Sequence, residues 1–473
     1  MLKKYIQKKI GLPLICVTLS YLCVSCGLTS KTDSPATLVD LTIEGNFKKA
    51  IIAINTATDN TSNRENLGLL PSEPETTNLT ISPLNHQMFH TPLLTPSKSS
   101  LNPKTPLLQL NKLEENPDVI EFYDPYQEKN IHATKLQENP SCIVYVETDS
   151  KDDLEALNNF NYNLNSAMAY FESSVSKNAI ELLGPELGIP IDFEKNNKTI
   201  LFITTIKNKD GEEQPNMAGF HWAGNLSVSN ELSNQRKLIY INKPFIINGS
   251  YQAVIAREYV HLLVTSYALK HGKNIIFETW LSEGIADGLA VFLANRANLV
   301  SDRYTYLNYS TLVKGSGPFF SAPDITRFEH YITGYTFLDY CRIQMELGSN
   351  FYKDLIEMMV QNNTSNHNQL NELIKMNNEQ NDPEQILEFQ DALISYRIAN
   401  HVKHPSNKYG YKGQAITDLI PFMKTPTENN LSIEPGGAIY LIQGNFSTTD
   451  IEEFSPEEHG PNIKFYRISP EEQ

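Results

Sequence analysis

The sequence predicts an α+β fold: a small mixed sheet, then two helices carrying a charged motif, then a mainly helical half ending in short strands. Three observations predict it. The runs at 142–146, 199–206 and 237–242 are short, apolar and rich in β-branched and aromatic residues, the pattern of buried strands. Leu154, Leu157, Phe160, Leu164, Met168 and Phe171 recur at three- and four-residue steps, the period of a helix. The tail returns to strand runs at 438–442 and 463–467. With 473 residues, 40% apolar and 20% charged, the chain has room for a sizeable core and for polar sequence outside it.

Taken in order, residues 1–25 read as an export signal. Lys3, Lys4, Lys8 and Lys9 precede an apolar core at 10–24 that stops at Ser25-Cys26-Gly27. A cysteine at that point resembles the lipobox of bacterial lipoproteins, although Cys23 stands where leucine is usual. The resemblance implies lipidation of Cys26 and attachment to the bacterial cell envelope, at the outer membrane or cell surface, with the periplasmic leaflet as the alternative. An uncleaved signal anchor is the other reading, since the apolar run is near the lower limit for a membrane span. Removing 1–25 takes away four lysines and no acid, so the net charge moves from −16 to about −20. So acidic a chain, with no basic stripe, is a poor partner for nucleic acid and for anionic headgroups. The lipid must then supply the membrane attachment. Cys16 and Cys23 leave with the signal and Cys26 carries lipid, so Cys142 and Cys341 either pair or remain as two buried thiols.

Residues 26–118 read as a disordered tether. Ser, Thr, Asn and Pro dominate, and prolines every few residues prevent helix. One local element is expected within it, at 38–54. The folded domain is assigned to 119–435 and a short β segment to 436–473. Helices are expected at 152–176, 180–187, 251–269, 279–297, 333–347, 350–362 and 383–403, with 219–224 as a loop.

The site argument rests on two of these helices. Arg257-Glu258-Tyr259-Val260-His261 departs at one position from H-E-x-x-H, in which two histidines one helical turn apart bind zinc beside a glutamate base. Trp280-Leu281-Ser282-Glu283-Gly284-Ile285-Ala286-Asp287 follows, with Glu283 twenty-two positions after His261. A guanidinium has no lone pair to offer a metal and stays charged in proteins. Without a metal, Glu258, Glu283 and Asp287 would be three desolvated carboxylates, which is costly unless they are paired. Arg257 is therefore expected to pair bidentately with one of them, Glu283, and to hold the two helices together. His221 and His271 are candidate substitute ligands, each with an ordinary loop histidine as the alternative. Tyr331 and Tyr335 are candidate oxyanion donors or simple packing residues. Trp280 reads as core.

The two motifs, together with 219–225, the strand ending at Asn242 and the tyrosine-containing helix at 331–348, resemble the hyicolysin family, bacterial gluzincin metallopeptidases of zincin-like fold. The likeness covers roughly 123–444 by order of elements and is specific around the motif helices. It implies His261 and Glu283 as metal ligands, Glu258 as general base and Asp287 as a carboxylate holding His261. Arg257 stands where the first ligand should be, so no cofactor is expected, with zinc only if a substitute ligand completes the site. Three readings follow. The first is a catalytically impaired peptidase homologue that binds a peptide or protein through the old substrate cleft. The second is an active zinc endopeptidase with a substitute ligand. The third is a scaffolding envelope lipoprotein whose cleft is filled by its own side chains.

Overall fold

The computed structural model describes residues 38–58, 65–66 and, with short breaks, 118–471. The expected export signal, Cys26 and most of the expected tether lie outside the described residues. The architecture is mixed α+β. Its strands are β1 (Leu38–Ile43), β2 (Ala50–Asn55), β3 (Glu65–Asn66), β4 (Val119–Asp124), β5 (Lys129–Glu138), β6 (Cys142–Glu147), β7 (Thr199–Thr204), β8 (Gly219–Phe220), β9 (Leu238–Asn242), β10 (Ser432–Ile433), β11 (Ala438–Ile442) and β12 (Ile463–Pro470). Its helices are α1 (Lys151–Glu155), α2 (Asn158–Tyr170), α3 (Lys177–Gly188), α4 (Lys243–Ile247), α5 (Tyr251–Lys270), α6 (Thr279–Ala294), α7 (Phe328–Met345), α8 (Asn350–Asn362), α9 (His367–Asn377) and α10 (Phe389–Val402).

The larger sheet has six strands in the order β4-β5-β6-β7-β9-β8. β6, β7 and β9 run parallel, and the outer pairs are antiparallel. Strand side chains alternate between faces, and the two faces here do different work. Val144, Val146, Leu201, Ile203, Ile239 and Ile241 join the main core, which includes the buried faces of α2, α3, α5 and α6. Ile143, Tyr145, Ile200, Phe202, Leu238 and Tyr240 join a second, aromatic core with Phe122, Phe220 and Trp222. Burial on both faces explains why these strands read as continuous apolar runs.

The smaller sheet, in the order β1-β12-β2-β11, corrects the expected domain plan. β1 lies parallel to β12, and β2 is antiparallel to both β12 and β11. Residues 38–55 are therefore part of the fold and not of a tether, and the C-terminal strands are not a separate segment. The reason is energetic. Ile52 and Ile54 join the main core while Ile51 and Ala53 join a third core with Ile439, Leu441 and Phe465. Each fully buried isoleucine stabilises the fold by about 1.5–3 kcal/mol, enough to hold the strand in the sheet.

α5 is buried around its whole circumference, from Val254 and Ile255 through Val260 to Ser266 and Tyr267, so it runs through the core and not along the surface. α6 packs between α5 and α7, and glycine permits the close approach. A Cβ on Gly284 would lie 2.7 Å from Leu338 Cδ1, and one on Gly288 would lie 2.2 Å from Cζ of buried Tyr352. Trp280 is buried, with its ring edge-on to Phe319 at 5.1 Å, the core role expected of it. Cys142 and Cys341 are buried free thiols, so the disulfide alternative falls; burial, with Glu172 adding to it, pushes the Cys142 thiol up to about 12. Among the described residues no helix is long and apolar enough to cross a membrane.

Candidate functional site

α5 presents Arg257, Glu258 and His261, and α6 presents Glu283 and Asp287. All five are at least nine-tenths buried. The structure brings together every motif residue singled out in the sequence. Residues 257 and 261, one turn apart, share a face of α5, and Glu283 and Asp287 do the same on α6. The close α5–α6 contact sets those faces against each other.

Arg257 is the hub. Its Nε donates to Asp287 Oδ1 at 2.9 Å and its Nη1 to Glu258 Oε1 at 3.3 Å, while Nη2 donates to Glu283 Oε2. The expected bidentate pair with Glu283 is thus replaced by a three-way fork. The guanidinium carries five donors that diverge in one plane, and three carboxylates surround it, so spreading the donors leaves fewer buried acids unpaired. Burial opposes the charge on Arg257, but Asp287 and Glu258 outweigh it and hold its pKa above the ordinary value. The Tyr331 ring lies 5.3 Å from its Cζ, within cation–π range.

Asp287 corrects a second expectation. It does not hold His261; its Oδ1 accepts from Arg257 and its Oδ2 lies 2.7 Å from Arg303 Nη2. Two permanently charged donors outcompete a neutral imidazole for one carboxylate. Arg303 was invisible to sequence reasoning, because no motif spacing points to it. With Arg257 it brings two positive charges to three carboxylates, the same positive charge a divalent ion would bring.

His261 Nε2 lies 3.7 Å from Glu283 Oε2. Burial first, then Arg257 and His221, hold the His261 pKa well below the ordinary value, so the imidazole is neutral near pH 7. His221 is buried beside this cluster, with Nδ1 3.2 Å from Leu238 O. A carbonyl only accepts, so Nδ1 carries the proton and Nε2 presents a lone pair. Among the described residues neither His221 Nε2 nor His261 Nε2 has a hydrogen-bond partner. His271 is elsewhere: it caps the end of α5, with Nδ1 2.9 Å from Tyr267 O and Nε2 3.1 Å from Glu186 Oε1. Tyr335 packs edge-on against Tyr304 at 6.1 Å. Tyr126, which the sequence did not mark, is partly buried near Glu258, and desolvation followed by that carboxylate raises its pKa well above the usual value.

The residues present do not fit a catalytic zinc ion. Such an ion needs three protein donors and an open position. Here His261 Nε2 and Glu283 Oε2 stand 3.7 Å apart, and Arg257, which has no lone pair to offer, donates hydrogen bonds to the oxygens a metal would claim. No family model matches the chain, and no curated protein matches it.

His221 makes the fold acid-sensitive. Burial lowers its pKa from 6.5 to about 4, with the Leu238 carbonyl opposing. Between these values the unfolded chain binds a proton that the folded chain refuses, so stability falls as pH drops from about 6.5 toward 4. The shift corresponds to about 3 kcal/mol. Urea denaturation at pH 7 and pH 4.5 is expected to show His221→Asn losing less stability than the native chain over that interval. An equal loss would remove His221 as the cause.

Proposed function

We propose that this chain is a lipid-anchored relative of the hyicolysin-like gluzincins whose zincin-like domain has lost peptide hydrolysis and serves as a binding protein. A single observation carries the reading: Arg257 occupies the place of the first zinc ligand and forks across Glu258, Glu283 and Asp287. The base and two ligand types of a metallopeptidase are present, but the charge that would activate water is replaced by one that cannot. On this reading Glu258 is a hydrogen-bond acceptor and not a base, and His261 and Glu283 are a vestigial metal pair. The bound molecule is a peptide or protein segment entering the old substrate cleft, and the lipid on Cys26 holds the domain to the bacterial envelope.

A second reading, the scaffolding lipoprotein, has one observation of its own. The five site residues are so buried that their side chains fill the space between α5 and α6. Substitution of Glu258 then changes stability and leaves partner binding intact.

Elemental analysis of the full chain, purified without chelators, tests the loss of hydrolysis. The expected result is far less than one zinc per chain and no casein cleavage with added zinc. Stoichiometric zinc with cleavage would overturn the proposal and restore the active-peptidase reading, with His221 as the third ligand.

A further inference from the structure

A polar cleft of about 460 Å³ opens far along the chain from the motif helices, between the first turns of α9 and α10, the 56–58 segment that follows β2, and the turn before β12. Its walls carry the amides of Asn368, Asn371, Gln390 and Asn462, the carboxylate of Glu388 and the imidazole of His367. The His367 ring packs against the Phe389 ring, centroids 5.0 Å apart. The frame is fixed from within. Asn371 Oδ1 accepts from Phe389 N at 2.9 Å, which ties α9 to the start of α10 and orients that amide. Thr56 Oγ1 donates to Asn462 O at 3.0 Å, which ties the β2 end to the far wall.

The lining selects a ligand class. Among the described residues no lysine or arginine lines the cleft, and the one carboxylate, Glu388, has its Oε2 3.8 Å from Lys375 Nζ, so the lining carries no net charge to draw in an ion. The wall is too polar for an apolar ligand, which needs mostly hydrophobic lining. Side-chain amides each offer a donor and an acceptor, and a carboxylate offers two acceptors. That set pairs with vicinal hydroxyls, which also donate and accept. The volume suits one or two sugar rings. We infer that this cleft, formed where residues 56–58 and 462 meet α9 and α10, is a binding site for a neutral saccharide. The inference does not depend on the fate of the metal site.

The test is saturation-transfer NMR and calorimetry on the full chain with glucose, galactose, N-acetylglucosamine and cellobiose as probes. Asn368→Ala and Gln390→Ala are the variants, because both side chains are at least partly exposed and neither takes part in the motif cluster; circular dichroism checks that both remain folded. At least one probe is expected to bind, and each variant is expected to weaken it by roughly five- to tenfold, the worth of one neutral hydrogen bond. Absence of binding by all four sugars would overturn the inference. So would unchanged affinity in both folded variants, or binding of spermidine in place of every sugar, which would mark Glu388 as a cation site.

Discussion

Arg257→Ala is expected to destabilise the fold by about 3–5 kcal/mol near pH 7, the cost of leaving buried charges without their partner. The substitution takes the Arg257 guanidinium from Glu258, Glu283 and Asp287, and Asp287 keeps Arg303. Coulomb repulsion between the carboxylates then acts in a desolvated space, where it is screened far less than at the surface. The deficit should shrink as pH falls, because protonation of one or more carboxylates removes the repulsion. Urea denaturation of both forms between pH 7 and pH 4.5 reads both effects. A loss under about 1 kcal/mol, the size of a surface ion pair, would show that the fork holds nothing together. Arg303→Ala provides the graded comparison: Asp287 keeps its bond to Arg257, so a smaller loss is expected.

Arg257→His is expected to give a chain that takes about one zinc ion, measured beside the native chain by elemental analysis and by a zinc-dependent rise in Tm. The introduced imidazole would stand one turn before His261 on the same face of α5. His261 Nε2 and Glu283 Oε2 are already 3.7 Å apart, and two donors at about 2.0–2.1 Å on a tetrahedral ion lie about 3.3 Å from each other. A shift of a few tenths of an ångström therefore completes three ligands. Casein cleavage separates two outcomes. Zinc with cleavage means that only the first ligand was lost, and zinc without cleavage means that the surroundings of Glu258 have changed as well. A folded variant that takes no zinc would remove the support for a metal-derived site.

Much of the fold was legible where local signals were strong. The β6, β7, β9 and β11 runs are apolar on both faces, and α8 and α10 follow the helical period. The expected loop at 219–224 instead contributes the edge strand β8, because Phe220 stacks on Tyr240 with ring centroids 4.1 Å apart. β4 and β5 were missed because their half-exposed residues alternate with lysine, asparagine and glutamate, a pattern close to that of surface loop. α9 was missed for a similar reason: His367 and Asn368 open it with poor helix formers, and the Asn366–Gln369 capping box holds its start. β1 and β2 were read as one local element inside the tether because their partners lie some 400 residues away, at β11 and β12, and nothing in the local sequence reports a pairing so distant.

The sequence by itself determined that two neighbouring helices carry Arg257, Glu258, His261, Glu283 and Asp287 at spacings that put 257 with 261, and 283 with 287, on one face, because residue identity and helical spacing are local properties. Only the tertiary structure decided how the charges balance. Arg257 forks three ways, Arg303 arrives from beyond the second helix to share Asp287, and His261 is left neutral beside Glu283. Those outcomes depend on distance and burial, and both are created when separate segments pack into one low-dielectric space where every charge must find a partner.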